Sequence, residues 1–202
     1  MLDKTSTTPI KKYWDGQNGI YAAKLLPGEV YVTDQEEMIT TVLGSCIAVC
    51  VHDPEFNIGG MNHFMLPESM EERQETEILA ESTRYGSYAM EFLINGLLKL
   101  GAKRERLQLK LFGGGKILPS LSDVGERNIG FIRRYVRQEG FSVQAWDLGG
   151  DYPRKVNFYP STGRVRMKKF TQLHNNTLIE RELNYRNRLQ QQDAVAGSVE
   201  LF

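Results

Sequence analysis

Apolar and polar positions change their spacing several times along this chain, and each change predicts an element. Two short apolar runs, around Gly28–Thr33 and Met38–Val42, precede the most apolar stretch, Thr41-Val42-Leu43-Gly44-Ser45-Cys46-Ile47-Ala48-Val49-Cys50-Val51. Its β-branched and small residues read as a buried strand. It stops at His52-Asp53-Pro54-Glu55-Phe56-Asn57, where Asp followed by Pro signals a turn. Ile58 to Leu66 then runs back to Pro67 as the second strand of a hairpin.

An acidic stretch, Glu68–Glu77, predicts a surface loop. From about Ile78 to Leu100 the apolar spacing becomes three and four (Tyr85, Ala89, Phe92, Leu93, Gly96, Leu97, Leu100), which predicts a helix stopped by Gly101. Leu107, Leu109 and Leu111 alternate as a strand closing on Phe112-Gly113-Gly114-Gly115. A second helix is expected from Val124 or Gly125 to Glu139, then a strand over Phe141–Trp146. Val156–Tyr159 and Gly163–Lys169 form a last hairpin. The stretch before about Gly19 is polar and reads as a loosely held arm. After Phe170 the chain turns rich in Gln, Asn and Arg. Leu178, Ile179, Leu183 and Leu189 there allow one loose helix in a tail or docking segment. Helices interleaved with strands, and hairpins at both ends, predict an α/β class with a mixed sheet. The expected parts are an arm over 1–19, a domain over 20–170 and a tail over 171–202.

Composition narrows the function. The 25 basic and 25 acidic residues cancel, so no overall field draws this chain to nucleic acid or to an anionic membrane. Arg164, Arg166, Lys168 and Lys169 alternate as on the wet face of a strand. No apolar run reaches the roughly 18 residues of a membrane helix. The charged first twenty residues lack the apolar core of a signal peptide. With two cysteines in 202 residues there is no disulfide framework, which suggests a reducing cytoplasm.

The candidate chemistry sits in the first hairpin. With the turn centred on Asp53–Phe56, counting outward puts Cys46 opposite His63 on one face. An imidazole beside a thiol can form a thiolate–imidazolium pair with a depressed thiol pKa, the basis of a nucleophile. Gly44 and Ser45 allow close approach of a substrate and leave the Cys46 amide free as an oxyanion donor. A buried structural cysteine is the competing reading, and Cys50 fits it better. Four residues apart on a strand, Cys46 and Cys50 lie roughly 13 Å from each other, too far for a disulfide or a compact zinc site. No metal or cofactor is expected. His52 and His174 read as solvated. Gly113–Gly115 followed by Lys116 fails as a phosphate loop because Ile117 stands where Ser or Thr should be. Close backbone packing beside the site is the better account of these glycines. Asp147-Leu148-Gly149-Gly150 with Arg154 reads as a turn and a site wall.

The runs Leu43–Cys50 and Gly59-Gly60-Met61-Asn62-His63-Phe64-Met65-Leu66-Pro67 strongly resemble the chemoreceptor glutamine deamidase family, CheD. The likeness continues through Phe112–Gly115, Gly125-Glu126-Arg127-Asn128 and Asp147–Gly150 with Arg154, covering roughly Gly28 to Lys169. It implies a protein-glutamine glutaminase that converts glutamines of methyl-accepting chemotaxis receptors to glutamate, with no cofactor. It carries the catalytic Cys onto Cys46, the His onto His63 and a third residue onto Thr40, which would orient His63 through its hydroxyl or carbonyl. Gly44, Ser45 and Asn62 fall in the substrate and oxyanion vicinity. The implied fold is a layered α-β-β-α sandwich similar to deamidating toxins of the cytotoxic necrotizing factor type. A CheC-like phosphatase is an implied second partner in some bacteria. Two alternatives stay open: a non-enzymatic adaptor for receptors or such a phosphatase, and a transglutaminase-like enzyme that passes the same thioester to an amine.

Overall fold

Strand alternation decides which side chains meet between the layers of this fold. The computed structural model describes residues 9–67, 75–117, 122–170 and 177–196. Six strands open the chain: β1 (Lys11–Asp15), β2 (Ile20–Lys24), β3 (Val30–Thr33), β4 (Met38–Leu43), β5 (Ile47–Asp53) and β6 (Ile58–Phe64). Helix α1 (Glu75–Lys99), β7 (Gln108–Gly113), α2 (Ser122–Gln138) and β8 (Ser142–Leu148) follow. The chain ends in β9 (Arg154–Tyr159), β10 (Arg164–Lys169) and α3 (Thr177–Ala196). The class is mixed α/β, with the strands in two sheets ordered β1-β2-β4-β9-β10 and β3-β6-β5-β7-β8.

Two apolar layers hold these sheets. On β5, Ile47, Val49 and Val51 join Met90, Leu93 and Leu97 of α1 and Phe131, Ile132 and Tyr135 of α2. Ala48 and Cys50 point the other way, toward Leu25, Ile39, Leu43, Met61, Val156 and Phe158 between the sheets. Because β5 is buried on both faces, its sequence shows a continuous apolar run instead of an alternation. Both α1 and α2 pack on the second sheet. The expected arrangement of one helical layer outside each sheet is therefore not the one these two helices form. The far side of β4 in the first sheet carries a small cluster of Ala22, Met38 and Tyr159.

Two expectations about local structure change. Residues 11–15, assigned to a loose arm, form edge strand β1 paired with β2. The Asp15 carboxylate accepts the Gln17 and Asn18 N–H groups, and Gly19 takes φ 62°, which closes the turn between them. The first hairpin pairs Asp53 with Ile58 and Ala48 with His63, so its loop is Pro54–Asn57. Asn57, at φ 55°, supplies the left-handed residue this loop needs. Register thus shifts by two from the expected pairing of Cys46 with His63. An even shift preserves the face, so Cys46 and His63 still project into the space between the sheets. The expected acidic loop over 68–77 lies largely outside the described residues, as does His174.

The candidate active site

The β4–β5 connection passes from one sheet to the other through Gly44-Ser45-Cys46, whose peptides are fixed from one side. The Gly44 carbonyl accepts Gly115 N–H at 2.7 Å, the Ser45 carbonyl accepts Asn128 Nδ2 at 2.9 Å, and the Cys46 carbonyl accepts Gly114 N–H at 2.8 Å. With all three carbonyls tied there, the three amides converge on the opposite side as a concave donor site, a backbone nest. The glycine run therefore packs backbone on backbone beside Cys46. A Cβ on Gly113, at φ 119°, would lie 2.0 Å from the Cys46 carbonyl oxygen.

A second turn braces the first. Gly149 N–H reaches the Gly113 carbonyl at 2.9 Å, and Lys116 N–H reaches the Gly150 carbonyl at 2.7 Å. Fully buried Arg154 donates to the Gly113, Asp147 and Gly149 carbonyls and pairs with the Asp147 carboxylate at 2.7 Å. Asn128 accepts Leu66 N–H at 2.9 Å with its other end, joining the loop after β6 to the Cys46 loop through α2. Sequence reading singled out these three motifs without saying what joins them.

His63 is buried, and its two ring nitrogens differ. Nδ1 lies 2.8 Å from the Thr41 hydroxyl, which is also 2.9 Å from the Leu25 carbonyl. A carbonyl can only accept, so the single Thr41 proton goes to Leu25 and the oxygen accepts Nδ1–H. That leaves Nε2 with a free lone pair, and Nε2 has no hydrogen-bond partner among the described residues. Burial pushes the imidazole down to about 3, so it is neutral near pH 7.

The threonine that touches His63 is Thr41, not the expected Thr40. On β4, Ile39, Thr41 and Leu43 face the second sheet, while Thr40 faces outward and donates its hydroxyl to Asn157 at 2.7 Å. The Thr40 carbonyl is also taken, by Leu25 N–H at 2.9 Å. Asn62 likewise leaves the site. Adjacent to His63 on β6, it points to the opposite face, accepting Val49 N–H at 3.0 Å and donating to the Ala89 carbonyl at 3.2 Å. It ties the hairpin to α1. His52, expected in solvent, is buried with Nδ1 2.7 Å from the Pro160 carbonyl.

Cys46 and Cys50 are both free and buried. Cys46 is not the depressed thiol that the pairing argument anticipates. Burial raises its pKa well above the ordinary value, and the negative charge of the Glu182 carboxylate raises it further. Glu182 comes from α3, in the segment read as a tail. Fully buried, it accepts Gly44 N–H at 2.7 Å and Ser45 N–H at 2.9 Å. The Ser45 hydroxyl adds a bond at 2.7 Å, and Cys46 N–H lies 3.5 Å away. Nothing in the spacing of Leu178, Ile179 and Leu183 marks this acid, because a polar residue between apolar ones on a helix ordinarily faces water.

The family described as CheD chemotactic sensory transduction matches residues 65–169 of this chain. A protein of Methylobacillus flagellatus named as a probable chemoreceptor glutamine deamidase CheD is 53% identical over 192 residues, covering 94% of each chain. Proteins of the same name from Hahella chejuensis and Hydrogenovibrio crunogenus are each 49% identical over 193 residues. Those alignments cover 96% of this chain, and 90% and 100% of the respective relatives, which takes in α3 as well as the Cys46 hairpin.

Proposed function

This chain belongs to the CheD family, and from that premise we propose that it hydrolyses glutamine side-chain amides of chemoreceptors, with Cys46 as nucleophile and His63 as acid–base. The observation that carries this reading is the state of the imidazole. Its Nδ1 proton is held by Thr41, and Nε2 stands bare on the face shared with Cys46. The Cys46 thiol does not bond Nε2 in this resting arrangement, and a neutral base on the thiol's face can take the proton as attack occurs, so no resting thiolate is needed.

The Cys46 thiol passes its proton to His63 Nε2 while sulfur bonds to the amide carbon. The developing oxyanion is stabilised by the amides of the Gly44–Cys46 nest. His63 returns the proton to the amide nitrogen, the C–N bond breaks, and ammonia leaves a γ-glutamyl thioester. Water then gives a proton to Nε2 and attacks the thioester carbon. The C–S bond breaks, sulfur regains the proton, and the product is glutamate. Thr41 acts here as a positioning residue, fixing the tautomer.

Chemoreceptors as partners rest on the names of the relatives, and a CheC-like phosphatase rests on the family likeness alone. A cytoplasmic location is part of the same reading. Among the described residues no helix is long and apolar enough to cross a membrane. The likeness to toxins of the cytotoxic necrotizing factor type rests on the family resemblance alone. The test is a mass spectrum of a receptor cytoplasmic fragment after incubation. A gain of one mass unit at glutamine, lost with Cys46→Ala, is the expected result. No gain with the native chain across several receptors would refute the assignment, and label incorporation from an added primary amine would favour acyl transfer to amines.

A further inference from the structure

A carboxylate buried on an otherwise amphipathic helix is costly unless donors are built for it. Here they are built. Two backbone amides and the Ser45 hydroxyl converge on Glu182, and Cys46 N–H lies 3.5 Å from the same carboxylate. Gly44 makes the approach possible, since a Cβ there would lie 2.9 Å from both carboxylate oxygens. The helix is seated along one face. Leu178, Glu182, Tyr185 and Leu189 recur at spacings of four, three and four and face the protein, while Glu180, Arg181, Asn184 and Arg188 are exposed. The Tyr185 ring lies over Gly28, where a Cβ would come within 2.7 Å of its hydroxyl, and that hydroxyl bonds Tyr85 of α1.

Glutamate is the product of the proposed reaction, and the donors holding Glu182 are the ones that reaction assigns to the substrate amide. We propose that α3 is a product mimic in cis: its groove is the substrate-helix groove, Glu182 fills the subsite of the glutamyl side chain, and α3 must leave before a substrate helix binds. The geometry also describes that substrate. It is an amphipathic helix with glutamine at the Glu182 position and apolar or aromatic residues four before, three after and seven after it. The resting state is closed, with the thiol covered and the nest filled. This inference rests on the hydrolase reading above, and its test separates the two.

The isosteric change Glu182→Gln in the full chain places an amide where the product carboxylate lies. Expected is a gain of one mass unit at position 182 on incubation, absent when Cys46→Ala is added. In a second variant, Glu182→Ala, α3 loses its anchor. Iodoacetamide labelling of Cys46 and kcat/KM for a receptor fragment should then both rise at least about tenfold, the factor carried by even one of the three lost hydrogen bonds to this charged group. An amide that persists at position 182 while the native chain deamidates receptor overturns the proposal. So do unchanged labelling and KM in Glu182→Ala. If no form deamidates any receptor, the hydrolase reading fails by itself. Faster labelling of Cys46 in Glu182→Ala would still uphold α3 as the occupant.

Discussion

The Thr41 hydroxyl stands 2.8 Å from His63 Nδ1 and donates its own hydrogen bond to the Leu25 carbonyl, so one short chain of bonds sets the tautomer of a buried imidazole. Thr41→Val should reduce kcat roughly ten- to hundredfold with little change in KM, as loss of a group orienting a functional histidine does. Thr41→Ser should restore most of it. Thr40→Val removes only the bond to Asn157. It should cost about 1 kcal/mol of stability and leave kcat alone. Steady-state kinetics on a receptor fragment, paired with urea melts, decide between the two threonines.

Gly113 takes a backbone conformation that side chains avoid, and it lies against the Cys46 carbonyl. Gly113→Ala should destabilise the fold by at least about 2 kcal/mol. In whatever fraction folds, it should displace Cys46, so turnover falls further than the melting curve accounts for. An alanine variant with native stability and native turnover would contradict this picture.

Arg154 has no exposed surface and holds three carbonyls together with Asp147. Arg154→Met would leave those acceptors buried and unpaired, at a cost of about 3 kcal/mol. Arg154→Lys should recover only part, because an ammonium cannot reach all of the same acceptors. Chemical denaturation of the three forms measures it.

Acid should weaken this protein in two windows. Burial holds His63 down to about 3 from an ordinary value of 6.5, so the unfolded chain takes up that proton first. Its effect is therefore a loss of stability as pH falls from about 6.5 toward 3. For Asp53, burial works upward, but the Arg106 side chain and the Lys103 and Glu55 amides outweigh it and hold the carboxyl down to about 2. That contribution is present above the ordinary value of 3.8 and is lost as pH falls through about 2. Urea midpoints across pH should fall in both ranges. His63→Gln should flatten the upper one. Asp53→Asn should lower stability at pH 7 and flatten the lower one.

Much of this site was legible in residues close together in sequence. The Cys46–His63 hairpin needs only a turn signal and period-two counting. An error of two in register left both side chains on one face, since parity survives an even shift. Thr41 was harder. Met38-Ile39-Thr40-Thr41-Val42-Leu43 has nearly the same polarity on both faces, so nothing in it says which threonine turns inward. Asn62 failed for a related reason. On β6, buried on both sides, neighbouring polar residues serve different layers.

The sequence by itself determined the alternation of helices and strands, the hairpin that sets Cys46 and His63 on one face, and the glycine loops that let backbones touch. Those features are written in local pattern and in residue types that tolerate few conformations. Only the tertiary structure decided which strands share each sheet, the threonine that holds His63, the Arg154 brace and the seat of Glu182. Each depends on residues brought together from distant parts of the chain. Glu182 lies 138 residues from the Gly44 amide it accepts, and only the closed fold makes that carboxylate part of the site.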